Sequence, residues 1–290
     1  MTAPLRFLIA ENEPSSAREV RRCSVGRSSG ETYLNVLKSL APGAHCDRIK
    51  PADSCADLPG GEALAGYDGI FLTGSPLHLY EATTATRREV VFMRDVFASG
   101  TPSFGSCAGL QVATVAAGGS VRQNVNGREA AFARRITPTE AGRVHPLLEG
   151  RPAAFDAPAI HTDEVESLPE GALLLASNGV TSVQAAEIRS GDEGVFWGVQ
   201  YHPEIGLDEV AAALRREAED LVKCGLARSP ADVESYAQDI DDLHQEPERR
   251  DLAWRLGLNE QVTNEHRRRV ELRNFIAHLV KPRRSERGRG

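Results

Sequence analysis

The sequence predicts an α/β fold: a mostly parallel, open sheet with helices on both faces, followed by a C-terminal helical appendage. Short apolar runs alternate with segments of helical spacing over residues 5–119, and repeated β–α units of this kind imply parallel strands with helices on both faces. From 120 to 196 the segments become shorter and more β-like. A change of composition near residue 226 indicates that a different unit follows the sheet.

The first unit starts with the apolar run LRFLIA (5–10), which is typical of a buried parallel strand. A long polar insert (14–30) follows, and its pattern favours no secondary structure. It lies at the sheet edge where ligands bind in open α/β proteins, so it is positioned to cover a site. Its GRSSGET segment is similar to a phosphate loop but lacks Gly-Lys-Ser/Thr, which disfavours nucleotide binding. ETYLNVLKSLAPG (31–43) then predicts a helix that ends at Pro-Gly.

The later elements are predicted in the same way. The segments are YDGIFLTGSP (67–76, strand and glycine turn), TRREVVFMRDVFASG (86–100, helix), TPSFGS (101–106, strand), AGLQVATVAAGG (108–119, helix) and GVFWGVQYHPE (194–204, strand). LDEVAAALRREAEDLVKCG (207–225) has its leucines and Val210 on one face, which predicts one amphipathic helix.

Composition and charge narrow the function classes. The chain has 290 residues, with 41 acidic against 34 basic side chains and a net charge of −7, which disfavours nucleic acid or an anionic membrane as a partner. Its N-terminal apolar run is too short for a signal peptide or a membrane span. Five cysteines without C-x-x-C spacing are typical of reduced thiols, so a cytoplasmic location is expected. No metal-ligand spacing or cofactor motif occurs, so no metal and no cofactor are predicted.

The GSCAG segment (105–109) places a cysteine between two glycines where a strand becomes a helix. This is the pattern of a nucleophile elbow, a tight turn that projects one side chain above the sheet edge. At a helix N-terminus, Cys107 is favoured as a thiolate, and the N–H of Ala108 can donate to an oxyanion. The alternative is a small buried cysteine whose neighbouring glycines serve packing.

A nucleophilic cysteine needs a base, and His202 is the best candidate among the histidines. FWGVQYHPE (196–204) brings an apolar strand to an end at His202, and Glu204 projects to the same side two residues on. Glu204 can therefore accept from the second ring nitrogen of His202. The alternative for HPE alone is an ordinary turn. The other histidines considered are expected to be structural or exposed: His45, His145, His161, His244, His266 and His278.

Four segments together resemble the class I (triad) glutamine amidotransferases, and within them the GMP-synthase-like glutaminase branch. They are FLTGSP (71–76), GSCAGLQ (105–111), HTDEV (161–165) and GVQYHPE (198–204), in the order that the family has. The resemblance covers residues 1–225 and implies a flavodoxin-like fold for that part.

The resemblance also implies a role for each matching residue. Cys107 corresponds to the nucleophile, His202 to the general base and acid, and Glu204 to the residue that orients the histidine. Gly74 corresponds to the second oxyanion donor beside the N–H of Ala108.

Three further residues correspond to substrate-binding positions. Gln111 and Ser75 lie in the matching segments, and Asp163 matches the aspartate that pairs with the α-ammonium of the substrate. For Asp163 the alternative is a loop residue that hydrogen-bonds its own backbone. Two departures from the family pattern, Ala108 for an aromatic residue and Leu110 for methionine, change the pocket wall.

The implied reaction is attack of the Cys107 thiolate on a glutamine side-chain amide, which gives a γ-glutamyl thioester and ammonia. The chain contains no synthetase motif, so the first hypothesis is a glutaminase component that passes ammonia to a separate acceptor enzyme. The second is a self-contained γ-glutamyl hydrolase that cleaves a γ-glutamyl amide. The third, of another class, is a non-catalytic binding or regulatory protein on the same scaffold.

Residues 226–290 lie beyond the resemblance. Residues 231–251 carry eight acidic and two basic side chains, whereas 264–290 carry nine basic and three acidic ones, so charge compensation is favoured over nucleic-acid binding. VELRNFIAHLV (270–280) predicts a helix with an apolar stripe that the catalytic domain, a second copy of the chain or an acceptor enzyme must cover. We expect a helical extension over 226–282, with Trp254 and Phe275 as buried anchors, and a basic, disordered tail over 283–290.

Overall fold

A computed structural model describes residues 3–191 and 193–288; the remaining five positions lie outside the described part. Its strands are β1 (Arg6–Ala10), β2 (His45–Ile49), β3 (Gly69–Leu72), β4 (Ser103–Ser106), β5 (Ser120–Gln123), β6 (Phe132–Pro138), β7 (Phe155–Pro158), β8 (Asp163–Ser167), β9 (Leu173–Ser177), β10 (Ala185–Ser190) and β11 (Gly194–Val199). Within the described ranges, nine of them form one sheet in the order β2-β1-β3-β4-β11-β10-β9-β6-β7, and β5 pairs with β8 separately.

The sheet is parallel in its first half and antiparallel in its second. Strands β2, β1, β3, β4 and β11 run parallel to one another, and β10, β9, β6 and β7 continue the sheet with antiparallel pairs. This confirms the predicted α/β class. The antiparallel half corresponds to the β-like segments after residue 120.

Helices cover both faces of the sheet. They are α1 (Ser15–Val25), α2 (Ser29–Leu40), α3 (Gly61–Ala65), α4 (Thr84–Ala98), α5 (Ala108–Ala116), α6 (Glu140–Val144), α7 (Leu207–Arg216), α8 (Ala218–Lys223), α9 (Pro230–Gln245), α10 (Arg250–Leu256), α11 (Glu260–Thr263), α12 (Glu265–Arg268), α13 (Val270–Phe275) and α14 (Lys281–Glu286). A 3₁₀ turn (Pro146–Leu148) and a π-helical turn (Ile276–Val280) complete the set. No helix in residues 3–191 and 193–288 is long and apolar enough to cross a bilayer.

The polar insert forms a helix, α1, and the start of α2. Ser28 and Glu31 make a capping box: the Ser28 side chain accepts from the Glu31 N–H, and the Glu31 carboxylate accepts from the Ser28 N–H at 2.8 Å. Glu11 lies at the same N-terminus of α2, where its Oε1 accepts from the N–H of Gly30 at 3.0 Å. A phosphate would face these carboxylates, so the GRSSGET segment caps a helix and offers no anion site.

The single helix predicted over 207–225 is wrong. The chain forms α7 and α8, which meet at Glu217 with φ −103° and ψ 11°. Glu217 is paired with Arg128 from the loop after β5.

Residues 270–280 pack into the main core. Phe275 is fully buried, with its ring centroid 5.3 Å from that of Phe71 on β3 and 5.6 Å from that of Phe104 on β4. The predicted apolar stripe is therefore covered by the sheet of the same chain. The prediction that Trp254 is buried with Phe275 is wrong, because 85% of Trp254 is exposed.

The tail predicted to be disordered over 283–290 is helical as far as Glu286. Arg284 is buried and donates to the carbonyl of Ala3, and it also lies 3.5 Å from the carboxylate of Asp68. Arg284 therefore contacts the protein, whereas the basic tail is predicted to face solvent. Residues 289 and 290 lie outside the described part of the chain.

Candidate active site

Cys107 lies in a strained turn between β4 and α5. Its backbone has φ 53° and ψ −112°, a region that non-glycine residues adopt only when the surrounding structure holds them there. Its N–H donates to the carbonyl of Val199 on β11 at 2.8 Å. The strain therefore resides on the cysteine, and the two glycines of the predicted elbow have another purpose.

Gly105 and Gly109 permit a close approach of β4, α5 and β3. A Cβ added to Gly105 would lie 2.8 Å from the backbone carbon of Gly109, and one added to Gly109 would lie 2.7 Å from the carbonyl oxygen of Leu72. Real Cβ atoms do not come so close to backbone. The G-x-C-x-G spacing thus sets how deeply α5 sits against the sheet.

His202 and Glu204 meet as predicted, and two residues extend their contact. His202 Nδ1 lies 2.7 Å from Glu204 Oε1. The same oxygen accepts from Ser106 Oγ at 2.9 Å, and Ser106 Oγ hydrogen-bonds to the hydroxyl of Tyr33 at 2.7 Å. We call Cys107, His202 and Glu204 the catalytic cluster, since these are the residues for which the sequence predicts chemistry.

The pKa of His202 is raised to about 10. Burial alone would lower this pKa, but the charge of Glu204 and hydrogen bonds to Cys107 and Glu204 favour the protonated ring and outweigh the burial. A histidine with a raised pKa is a strong proton acceptor toward a thiol. The arrangement can therefore remove the proton of Cys107 and hold it on the ring.

Gly74 lies against the catalytic cluster. A Cβ added to this residue would be 2.8 Å from His202 Cε1 and 3.7 Å from Cys107 Cβ. Ala108 is the first residue of α5, so its N–H has no partner from the preceding turn of that helix. The structure thus places both predicted oxyanion residues next to Cys107.

The predicted substrate-binding residues form two groups. Ser75 borders the cleft beside Cys107, and its Oγ accepts from the N–H of Leu77 at 3.2 Å. Gln111 and Asp163 are buried together outside the cleft: Gln111 Nε2 donates to the carbonyl of Asp163 at 3.3 Å and to Oε1 of Gln200 at 3.2 Å. The structure does not bring these two side chains to the cleft surface.

His78 contacts Asp163 although no sequence motif singles it out. Its Nδ1 lies 2.7 Å from Asp163 Oδ2, and its ring stacks on Tyr80 with centroids 5.3 Å apart. Asp163 Oδ1 also accepts from the hydroxyl of Thr162 at 3.2 Å. The sequence feature that could have identified His78 is its place two residues after the FLTGSP turn, which borders the predicted site. His161, expected to be structural, is buried and lies 2.9 Å from Glu129 through Nε2.

A cleft of about 400 Å³ opens above the catalytic cluster. Gly74, Ser75, Cys107 and His202 form its floor, and α1 forms one wall through Ala17, Val20 and Arg21. The insert therefore borders the site, as its position in the sequence suggested. In the described part of the chain, no group of three or more His, Cys, Asp or Glu side chains is arranged to hold a metal ion.

Comparison with known proteins assigns the family. The family model for glutamine amidotransferase class-I matches residues 42–218. The chain therefore belongs to the class I glutamine amidotransferases.

Relatives within the family differ in length. A γ-glutamyl-L-1-hydroxyisopropylamide hydrolase of Pseudomonas sp is 39% identical over 241 residues, which cover 81% of this chain and 80% of that protein. The glutamine-hydrolysing GMP synthase subunit of Methanoculleus marisnigri is 33% identical over 149 residues, covering 51% of this chain and 72% of the relative. Matches to longer GMP synthases span only 24% to 36% of those proteins.

A solved structure has the same fold. The glutamine amidotransferase from Thermotoga maritima superimposes with a TM-score of 0.65 at 16% identity, over 96% of this chain and 98% of that one. The similarity extends beyond residue 226, so the C-terminal helices belong to the shared architecture.

Proposed function

We propose that this protein hydrolyses γ-glutamyl amides by nucleophilic catalysis at Cys107. The observation that carries the proposal is the catalytic cluster: Cys107 at a strained elbow, with His202 beside it and Glu204 Oε1 2.7 Å from the ring. The relative named as a γ-glutamyl-amide hydrolase supports the substrate class, because it aligns with 81% of this chain.

The reaction has two steps. The Cys107 thiolate forms a bond to the γ-carbonyl carbon, and the N–H groups of Gly74 and Ala108 donate to the oxyanion. The C–N bond then breaks while His202 gives its proton to the leaving amine. In the second step His202 removes a proton from water, the new hydroxide oxygen bonds to the carbonyl carbon, and the C–S bond breaks to release glutamate.

Asp163 and Gln111 are the proposed residues for the glutamyl head. Asp163 has two oxygens, and an α-ammonium group can displace the Thr162 hydroxyl from Oδ1 while His78 keeps Oδ2. Both side chains are buried outside the cleft, so this role requires that substrate binding expose them.

The size of the cleft favours an amide larger than glutamine. From Cys107 the cleft continues to α1 and to the end of α7 at Arg216, which leaves space for an alkyl or aminoacyl group on the departing nitrogen.

The test is hydrolysis of γ-glutamyl-isopropylamide by the purified full chain with no second protein added. We expect a higher kcat/KM than with glutamine. Cys107→Ala should lower the rate by more than about 10³-fold while the protein stays folded, and Cys224→Ala, a change at an exposed cysteine, is the matched control. A Cys107→Ala protein that stays active would overturn the proposal.

A second candidate is an ammonia-supplying component of a two-protein synthetase. The match to 72% of the Methanoculleus GMP synthase component favours it. In that case glutamine is the better substrate, and its hydrolysis rises when the acceptor enzyme and its substrates are added. Efficient turnover of γ-glutamyl-isopropylamide by the chain alone argues against this candidate.

A further inference from the structure

The outer end of the cleft lies between α1 and the junction of α7 with α8. Arg21 on α1 and Arg216 at the end of α7 both line it, together with Glu13, Glu209 and Glu217. A substrate whose carbonyl lies at Cys107 would place the far end of its amine group here. The charges at this end therefore bear on which amines fit.

Each of the three carboxylates already has a cation. Glu209 is paired with Arg21 and lies 2.9 Å from Arg27. Glu13 lies 3.7 Å from Arg21 and accepts from the N–H of Ser29. Glu217 is paired with Arg128. The negative charge of these carboxylates is thus offset by Arg21, Arg27 and Arg128.

Arg216 differs from these arginines in its partners. Its Nη1 donates to the hydroxyl of Ser24 at 2.7 Å, and in the described part of the chain no carboxylate oxygen lies within 4.0 Å of its guanidinium nitrogens. Burial and the nearby charge of Arg21 lower its pKa against the raising effect of the charges of Glu13 and Glu209. A half-buried guanidinium beside a second one is stabilised by an anion, and its planar fork fits a carboxylate with two hydrogen bonds.

We propose that Arg216 binds a carboxylate on the amine side of the substrate, so that the protein prefers γ-glutamyl derivatives of amino acids over those of uncharged amines. This inference rests on the proposed hydrolysis of γ-glutamyl amides. A carboxylate is favoured over a phosphate because Arg21 is already paired, so a single guanidinium faces the ligand. The glutamyl α-carboxylate is the weaker alternative, since Gln111 and Asp163 lie outside the cleft that Arg216 borders.

The experiment compares γ-glutamyl-alanine with γ-glutamyl-alaninamide, which differ only in the charge at the far end. We expect the full chain to have a higher kcat/KM for γ-glutamyl-alanine. Arg216→Gln should lower the ratio of the two kcat/KM values by about 10-fold or more, as expected for loss of a hydrogen bond to a charged group. Arg216→Lys keeps the charge without the fork and should lower the ratio less. Arg143→Gln, a change at an exposed arginine on α6, should leave the ratio unchanged.

Results that contradict the Arg216 subsite differ from results that contradict the proposed hydrolysis. Equal activity on the two substrates, or a proportional loss on both in Arg216→Gln, overturns the carboxylate subsite while γ-glutamyl-amide hydrolysis stands. Proportional loss in particular would assign Arg216 to the glutamyl head or to folding. If the wild-type protein hydrolyses neither substrate, nor γ-glutamyl-isopropylamide, the proposed function fails and the subsite with it.

Discussion

The contact between His202 and Glu204 determines in which pH range the proposed reaction can proceed. A negative charge beside an imidazole favours its protonated form, and Glu204 contributes to raising the pKa of His202 to about 10. Glu204→Gln removes that charge. Burial, which lowers the pKa of His202, then has less to oppose it, and the pKa falls. We expect the alkaline limb of kcat/KM to move to lower pH, because deprotonated His202 cannot protonate the leaving amine.

The measurement is a pH–rate profile of both proteins from pH 6 to about pH 11, since a raised pKa near 10 places the limb in that range. Glu166→Gln, at an exposed residue of β8, is the control. An alkaline limb at the same pH in wild type and Glu204→Gln would assign the limb to a group other than His202.

Asp163 is expected to act on substrate binding. Asp163→Asn removes the charge proposed to pair with the α-ammonium, so KM for a γ-glutamyl amide should rise by about 10-fold with a smaller change in kcat. Steady-state kinetics measure both constants. An unchanged KM would mean that Asp163 serves only its contacts with His78 and Thr162, which is the loop-residue alternative.

For single residues, the sequence predicts which side chains of the catalytic cluster meet, but it does not predict the hydrogen bonds that hold them in place. The spacing within GSCAGLQ and GVQYHPE is enough to bring Cys107, His202 and Glu204 together, because adjacent parallel strands end at one sheet edge. Tyr33 carries no such signal. It reaches Ser106 across 73 positions of sequence, and only the packing of α2 against the sheet creates that contact.

Among the elements, the turn after β3 is fitted most closely to the catalytic cluster. Gly74→Ala would put a methyl group 2.8 Å from His202 Cε1, so the ring or the turn must move. We expect kcat to fall by about 10²-fold or more, as for loss of an oxyanion donor, with little change in stability. Gly60→Ala is the matched control, because Gly60 has φ −86° and open space around it. Full activity in Gly74→Ala would show that the turn accommodates the methyl group without moving the N–H of residue 74 or the ring of His202 out of place.

Helix α1 shows why a polar segment resists prediction. Most of its residues are exposed or half-buried, so apolar periodicity is weak. Contacts with other elements stabilise it: Arg18 lies 2.6 Å from Asp53, and Arg21 pairs with Glu209 on α7. Ion pairs across long sequence separations leave no local pattern, whereas α4 and α5 were predicted because their apolar faces are buried in the sheet.

The contribution of the C-terminal helices to the stability of the whole molecule can be measured by comparing variants at Phe275 and Trp254. Phe275→Ala would leave a cavity between α13 and the sheet and should lower the free energy of unfolding by about 3–5 kcal/mol. Trp254→Ala, at an 85% exposed residue, should change it by less than about 0.5 kcal/mol. Chemical denaturation of both variants measures the difference. Similar values would mean that the C-terminal helices contribute little to the core.

The same helices contact the segment that carries His202. Glu271 on α13 accepts from the hydroxyl of Tyr201 at 2.7 Å and forms a buried ion pair with Arg151 at 2.7 Å. The sequence predicted an apolar stripe over 270–280, but a stripe alone does not identify the surface that covers it. That surface is the sheet itself, so residues 272–280, which lie beyond the predicted boundary near residue 226, belong to the same apolar cluster as the sheet.

The packing of Phe275 against the sheet has a consequence for protein synthesis. The strands that Phe275 covers are complete once β11 has been synthesised. The ribosome must then add roughly another 75 residues before Phe275 is made, which takes on the order of ten seconds. During that interval the part of the apolar face that Phe275 covers lacks this cover. We expect nascent chains stalled before α13 to be digested by protease and to leave Cys107 unreactive toward a glutamine-like electrophile, whereas chains stalled after α14 has emerged should resist digestion and react.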